Sequence, residues 1–271
     1  RLVGGQLTAA AANIAGSRLS KSKIFFSETG NVALIKVATS MGGIVTGHSE
    51  TDYSKVSFDP NHRPTGGTAK IVVSRPDGTR KSEILTNYLG GAGISIAMRR
   101  FDKDGESVLR DTLQVIRGDK TRSIAGTIIY AGNKRKTGTA ITYATDGTTI
   151  ESVATTDYTQ AAFDSRGVQT GGVVVTIVRR ANHTMASRSS TAVSSETGLT
   201  TTTTEKFEAD GVTMSEVVAT TSRADATLAF QRTFWFGPKG ILQRAKRKSF
   251  DVDGVTLLVT TETDFTGAVL D

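Results

Sequence analysis

Acid–base chemistry in this chain would fall to three histidines, His48, His62 and His183, the only side chains whose ordinary pKa lies near neutrality. Ser and Asp are abundant enough to complete a triad with any of them on paper. No Gly-x-Ser-x-Gly elbow accompanies a histidine, however, so all three read as surface or loop residues. Asp251-Val252-Asp253-Gly254, with Glu262 further on, has the outline of a calcium loop, as does Asp102-Lys103-Asp104-Gly105. An EF-hand needs a ligand at its fifth position and Gly at its sixth, where this chain has Val255 and Thr256, so hairpin turns are expected instead. Leu89-Gly90-Gly91-Ala92-Gly93-Ile94-Ser95 lacks the Lys-Ser/Thr of a phosphate loop and the third Gly of a dinucleotide fingerprint, and reads as a loop or bulged strand. Cys is absent, which removes thiol chemistry, and the lone Trp235 provides no aromatic platform for sugars. No catalytic, cofactor-binding or metal-binding residue is assigned, no cofactor is expected, and the chain is expected not to be an enzyme.

Charge is the more informative chemistry. Lys and Arg number 33 against 26 Asp and Glu, a net charge of +7 with a pI near 9.7. The excess is clustered at Arg99 and Arg100, at Lys134, Arg135 and Lys136, at Arg179 and Arg180, and at Arg244, Lys246, Arg247 and Lys248. Such clusters suit an anionic surface, nucleic acid, lipopolysaccharide or an acidic neighbouring subunit, with marked salt dependence. They lack interleaved aromatics, so base stacking is not expected. Asn182-His183-Thr184 has the form of a glycosylation acceptor, relevant only in a eukaryotic secretory setting.

The elements that must carry these residues are strands. About 40 threonines, together with Val and Ile, favour a pleated, half-buried surface over helix. Gly is plentiful at 28 and Pro scarce at 4, which suits a chain that turns often and spends few ladder donors. Alternation is visible over Leu228–Phe236 and again over Val255–Phe265. Gly172–Val178 and Thr127–Tyr130 are apolar on both faces, and cover on both sides is expected for them. Ala-rich residues 7–16 point to a short N-terminal helix or arm. The expected organisation is therefore an arm or helix over residues 1–22 and an antiparallel β meander over 23–271, as one domain or two subdomains. No run of about 18 apolar residues is present, which excludes a membrane-spanning helix, and an aromatic content of 6% argues against a membrane barrel.

Turns punctuate the pattern. An aromatic residue stands four positions before Gly at Phe101, Tyr143, Phe163, Phe207, Phe236 and Phe250, and Asp precedes the Gly at Asp104, Asp146, Asp210 and Asp253. Gly105, Gly147, Gly167, Gly211 and Gly254, with Gly78 after Pro76-Asp77, are the expected turn-forming glycines. From Phe58 the aromatic positions advance by 43, 42, 64 and 43 residues, and the long step divides at Phe163 into 20 and 44. A unit near 21 residues, often doubled, corresponds to one or two hairpins. A meander forming a curved sheet or barrel is expected, with a propeller-like arrangement as the alternative. Phe101-Asp102-Lys103-Asp104-Gly105-Glu106, Phe163-Asp164-Ser165-Arg166-Gly167-Val168 and Phe250-Asp251-Val252-Asp253-Gly254-Val255 resemble the tyrosine-aspartate repeats of bacterial shell and adhesion proteins, with Phe where that family has Tyr. The resemblance covers isolated turns, implies shared hairpin chemistry and carries no function to this chain.

The expected function is that of a structural or assembly subunit of an extracellular or virion particle, filament or surface layer, with copies of itself or other subunits as partners. The alternative is a secreted or surface binding module, an adhesin or a carrier of an apolar ligand. A start at Arg1 rather than Met points to a trimmed product outside the cytoplasm: extracellular, at the cell surface or in a virion.

Overall fold

A computed structural model describes residues 4–12 and 18–266. The chain is all-β, an antiparallel meander of successive hairpins, and it divides into two compact units: residues 1–133 with Thr142–Thr149, and Lys134–Ile141 with 150–271.

The first unit carries β1 (Gln6–Ala12), β2 (Arg18–Phe26), β3 (Val32–Met41), β4 (Ile44–Phe58), β5 (Pro64–Ser74), β6 (Arg80–Tyr88), β7 (Gly93–Phe101), β8 (Val108–Arg117) and β9 (Arg122–Ala131). Each pairs antiparallel with the next. The register sorts its side chains into two kinds of row. Ile24, Ile35, Thr51, Ile71, Ile84 and Met98 stand opposite one another from strand to strand on one face. One position along, on the other face, runs Lys23, Lys36, Glu50, Val72, Glu83, Arg99 and Asp111. Opposite charges therefore meet across strands, as in Lys36 with Glu50 at 2.9 Å and Arg99 with Asp111 at 2.8 Å.

The second unit takes in most of β10 (Lys134–Tyr143), then β11 (Ile150–Phe163), β12 (Gln169–Arg180), β13 (Met185–Val193), β14 (Thr200–Phe207), β15 (Met214–Ser222), β16 (Leu228–Phe236), β17 (Leu242–Phe250) and β18 (Leu257–Asp264). From β11 to β18 the pairing is again antiparallel and sequential. Threonine hydroxyls bridge its strands, Thr156 to Thr176 at 3.0 Å, Thr191 to Thr202 at 3.1 Å and Thr201 to Thr221 at 3.2 Å. The Thr-rich composition thus serves the ladder itself.

The core is thin. Among the described residues the buried apolar side chains are Ala69, Phe101, Tyr143 and Ala229, and none is below 2% exposure.

Three expectations are corrected. The Ala-rich start is not helical: Gln6–Ala12 is strand β1, paired with β2 from Gln6 opposite Phe25 to Ala12 opposite Leu19, because a ladder partner outweighs the weak helix preference of Ala. Residues 13–16 of that segment, like Arg1, lie outside the described residues. Among the described residues neither unit's sheet closes into a barrel, and within each unit the ladder runs unbroken from strand to strand rather than breaking into propeller blades.

The uneven spacing has a structural cause. Seven successive strands, β4 to β10, recur as β11 to β17, with equivalent residues 105 to 107 positions apart. Phe58, Phe101 and Tyr143 become Phe163, Phe207 and Phe250. The step of 20 residues joins the last turn of one seven-strand module to the first turn of the next. β4 and β11, the long strands that open the modules, each carry a bulge: Tyr53 and Ser54 oppose the single residue Ala69, and Tyr158 and Thr159 oppose Val174.

Candidate partner-contact surface and hairpin clamps

Eight of the turns are built from two sequence patterns that interlock. One is Arg-x-Asp/Asn-x-Thr, at Arg75–Thr79, Arg117–Thr121, Arg180–Thr184 and Arg223–Thr227. In each, the Asp or Asn oxygen accepts from the Thr N–H and from its hydroxyl, for instance Asp119 from Thr121 at 2.9 and 2.6 Å. The residue before Thr takes positive φ: Gly78 at 85°, Lys120 at 71°, His183 at 66° and Ala226 at 69°. The second pattern is aromatic-x-x-Asp-Gly-x-Ser/Thr. Here Asp146 accepts from the Thr148 and Thr149 N–H groups, both at 2.8 Å, and from the Thr149 hydroxyl at 2.5 Å. Asp104, Asp210 and Asp253 repeat this arrangement.

The guanidinium of the first pattern grips the second. Arg117 donates to the Thr121 hydroxyl at 3.2 Å and the Arg122 carbonyl at 2.7 Å within its own hairpin. It then reaches the next turn on the same sheet margin, donating to the carbonyls of Tyr143 at 2.8 Å and Ala144 at 3.0 Å. Arg223 does the same to Phe250 and Asp251, Arg75 to Phe101, and Arg180 to Phe207. Arg is the side chain for this task, because its planar fork supplies several donors in fixed directions. The glycines seal the joint. A Cβ on Gly105 would lie 2.7 Å from the Arg80 N, and one on Gly147 2.7 Å from the Arg122 N. Gly211 and Gly254 are as close to Met185 and Leu228. Arg80 and Arg122 also lie over the Phe101 and Tyr143 rings, at 4.6 and 5.2 Å.

The expected turn glycines all take positive φ, with Gly167 at 81° in the turn Asp164–Val168. The basic residues divide by partner. Arg99 is held bidentate by Asp111, which also accepts from the Tyr130 hydroxyl. Arg100 stands opposite Arg110 on an exposed stretch of β7. In β10, Lys134 and Lys136 are exposed, while Arg135 covers the rings of Tyr158 and Phe163 at 5.9 and 5.0 Å. Arg179 donates to the His183 carbonyl at 3.3 Å, and Arg180 is a clamp rather than a free cation. On β17, Arg244, Lys246 and Lys248 share a face with Trp235 and Gln231, and Arg247 lies on the other face, 5.7 Å from Phe230. Arg244 stacks on Trp235 at 3.9 Å and pairs with Glu262 at 3.4 Å; Lys246 pairs with the same Glu262 at 2.9 Å. This face is the most developed of the basic clusters, and Glu262 offsets part of its charge.

The calcium-like segment is spent on its own backbone. Asp251 accepts from Val252 N–H at 2.7 Å, and Asp253 from Val255 and Thr256. His62 meets Asn31 at 2.6 Å, His48 is exposed on β4, and Asn182 is occupied by Thr184.

Arg75, Arg117 and Arg223 are the contacts that charge clustering misses, since none has another Lys or Arg directly beside it. The signal that finds them is the Arg-x-Asp/Asn-x-Thr pattern, which recurs in step with the aromatic turns.

These turns tie stability to pH. The Thr149 hydroxyl, then the Thr148 and Thr149 N–H groups, hold the Asp146 carboxyl down to about 2. Asp104, Asp210 and Asp253 are lowered first by the hydroxyls of Ser107, Thr213 and Thr256, and Asp77, Asp119 and Asp225 by those of Thr79, Thr121 and Thr227. A depressed folded-state pKa contributes stability above the unfolded value of roughly 4, and this is lost as pH falls through the folded value. Urea midpoints are therefore expected to stay level above pH ~5 and to fall steeply between pH ~4 and ~2, with proton uptake on unfolding. Asp146→Asn is expected to flatten part of that fall, and an unchanged slope would count against the assignment.

No protein-family model and no curated protein matches the chain. Among solved structures it is similar to the crystal structure of TcdB2-TccC3, at 9% sequence identity and a TM-score of 0.17, over 94% of this chain and 17% of that one. The chain thus spans less than a fifth of the length of that chain.

Proposed function

We propose that this chain is a wall-forming assembly protein, a structural subunit of a particle, filament or surface layer outside the cytoplasm, acting by sheet contacts rather than catalysis. The observation that carries the reading is the first unit's sheet. It has a charged face and an apolar row, Ile24, Ile35, Ile71, Ile84 and Met98, whose members all stay partly exposed. A clamped, modular sheet with so thin a core gains by burying that row and its margins against further protein. The exposed basic side chains, Arg100, Lys134 and Lys136, and the Trp235–Arg244 face suit an acidic neighbour or another anionic surface. Sedimentation velocity and electron microscopy over a rising concentration series test this: concentration-dependent association into regular particles, loosened by salt, is expected. A strict monomer throughout would contradict it.

A second reading, as a binding module, rests on one groove of about 670 Å³ in the first unit, lined by Lys21, Lys23, Lys36, Val72 and His48 with Glu50. Its size and positive rim suit an anionic amphiphile, and native mass spectrometry of the purified chain would reveal one.

A further inference from the structure

Charged residues that stand opposite one another in the ladders are as a rule of opposite sign: Asp52 faces Lys70, Arg188 faces Glu205 and Lys206 faces Glu216. Where two lysines meet, at Lys23 and Lys36, Glu50 follows on the next strand and pairs with Lys36. Two arginine pairs break the rule. Arg100 on β7 stands opposite Arg110 on β8, and Arg232 on β16 stands opposite Arg247 on β17. All four side chains are exposed, and none makes an ion pair among the described residues. The strands on either side supply no acid, for the first pair lies between Ser82 and Ile129 and the second between Ala219 and Thr261. Asp102, two residues beyond Arg100, is taken by its own turn, where it accepts the Lys103 N–H at 2.7 Å. Side chains directly opposite have their Cβ atoms roughly 4.5–5.5 Å apart, and like charges so placed destabilise a sheet.

The internal repeat shows that the fold does not require either pair. One module further on, 106 positions away, Arg100 and Arg110 become Lys206 and Glu216, an ion pair. Arg232 and Arg247 have Gly126 and Ala140 as counterparts, 106 and 107 positions back. The turn aromatics and clamp arginines of the same hairpins are kept in both modules. The like-charge pairs are therefore placed on a conserved scaffold at a cost to it, which is the signature of a binding site.

We infer that each arginine pair is a binding site for a dianionic oxoanion, a phosphate or sulfate group. Two guanidinium forks side by side offer several N–H donors in fixed planes, matched to the oxygens of a tetrahedral anion. One dianion cancels both charges, whereas a single carboxylate would leave one uncompensated. Arg247 also lies over the Phe230 ring at 5.7 Å, which limits its freedom before any anion arrives. Uncharged residues flank both pairs along their rows, so the sites suit discrete groups rather than a continuous polyanion track. The inference rests on the anionic-surface part of the assembly reading and gives that surface a chemistry.

The test is a titration of the full chain, labelled with ¹⁵N-arginine, with inorganic sulfate at constant ionic strength, read at the Arg Nε–H signals. Saturable shifts are expected at Arg100, Arg110, Arg232 and Arg247, at concentrations at least tenfold below any effect of chloride. Arg247→Gln is expected to abolish the response at Arg232 and to leave that of Arg100 and Arg110. Arg110→Glu, which copies the Lys206–Glu216 arrangement, is expected to abolish the response at Arg100 and to raise the urea midpoint in chloride. Parallel titrations with a heparin-derived disaccharide and with phosphatidic acid vesicles identify the source. Tighter binding than free sulfate by one of them names a glycan or a lipid, and equal binding names the free anion. Three results overturn the inference: equal response to chloride, uniform shifts at all exposed arginines, or a lower urea midpoint for Arg110→Glu. A chain that assembles without responding to sulfate loses these sites and keeps the wall reading, and a strict monomer that responds does the reverse.

Discussion

Replacing Gly67 with Ala is expected to destabilise the first unit by more than about 4 kcal/mol, while the same change at Gly78 costs only about 1. Both glycines have nearly the same positive φ, 83° and 85°, so backbone strain does not separate them. Space does. The new methyl at Gly67 would sit 1.9 Å from a backbone oxygen of the bulged β4, which cannot move without opening the β4–β5 ladder, whereas at Gly78 there is nothing within 4 Å. The other Arg-x-Asp/Asn-x-Thr turns already carry Lys120, His183 and Ala226 at the position of Gly78, in the same conformation. Urea unfolding of the two variants checks the difference, and near-equal losses would show that the close approach of Gly67 to the Lys55 carbonyl does not govern the cost.

Arg223→Met is the second substitution of large effect, with an expected loss of about 2–4 kcal/mol. The Met keeps an apolar stem but removes every donor to the Thr227 hydroxyl and to the carbonyls of Leu228, Phe250 and Asp251. Charge-assisted hydrogen bonds contribute about 1.5–3 kcal/mol each, and partly buried acceptors left without a donor add a penalty of their own. Water recovers part of this at the exposed Asp251 carbonyl, so the four bonds do not simply add. Arg223→Lys is expected to recover little, because one ammonium cannot point at acceptors in two turns at once. Full recovery by Lys, measured as the urea midpoint, would show that charge alone matters there.

The all-β class and the hairpin meander are legible in the sequence because their signals are local: β-branched composition, Asp-Gly turns and two-residue alternation. The identity of β1 is not, since seven residues of Gln-Leu-Thr-Ala-Ala-Ala-Ala favour helix on their own and become strand only by pairing with β2. Gly172–Val178 and Thr127–Tyr130 illustrate another limit. Apolar on both faces, they suggest cover on both sides, yet Val173–Val178 and Thr127–Tyr130 are partly exposed throughout. Periodicity reports which face is apolar, and the presence of a covering layer is a tertiary fact. Of the candidate contact residues, the clusters on β7, β10 and β17 are visible as runs of charge. What charge cannot reveal is the partner: Arg99 is bound to Asp111 and Arg180 to the Phe207 turn, and both partners come from distant sequence.

That four hairpins are each locked by an Arg, at positions 75, 117, 180 and 223, to the next turn along the same margin is central to the fold, and hydrogen exchange of Arg223→Met measures it most directly. Amides at 223–228 and at 250–256 are expected to lose protection together, by at least tenfold, while the equivalent turns at 117–122 and 143–149 keep theirs. Loss confined to 223–228, with 250–256 unchanged, would contradict it.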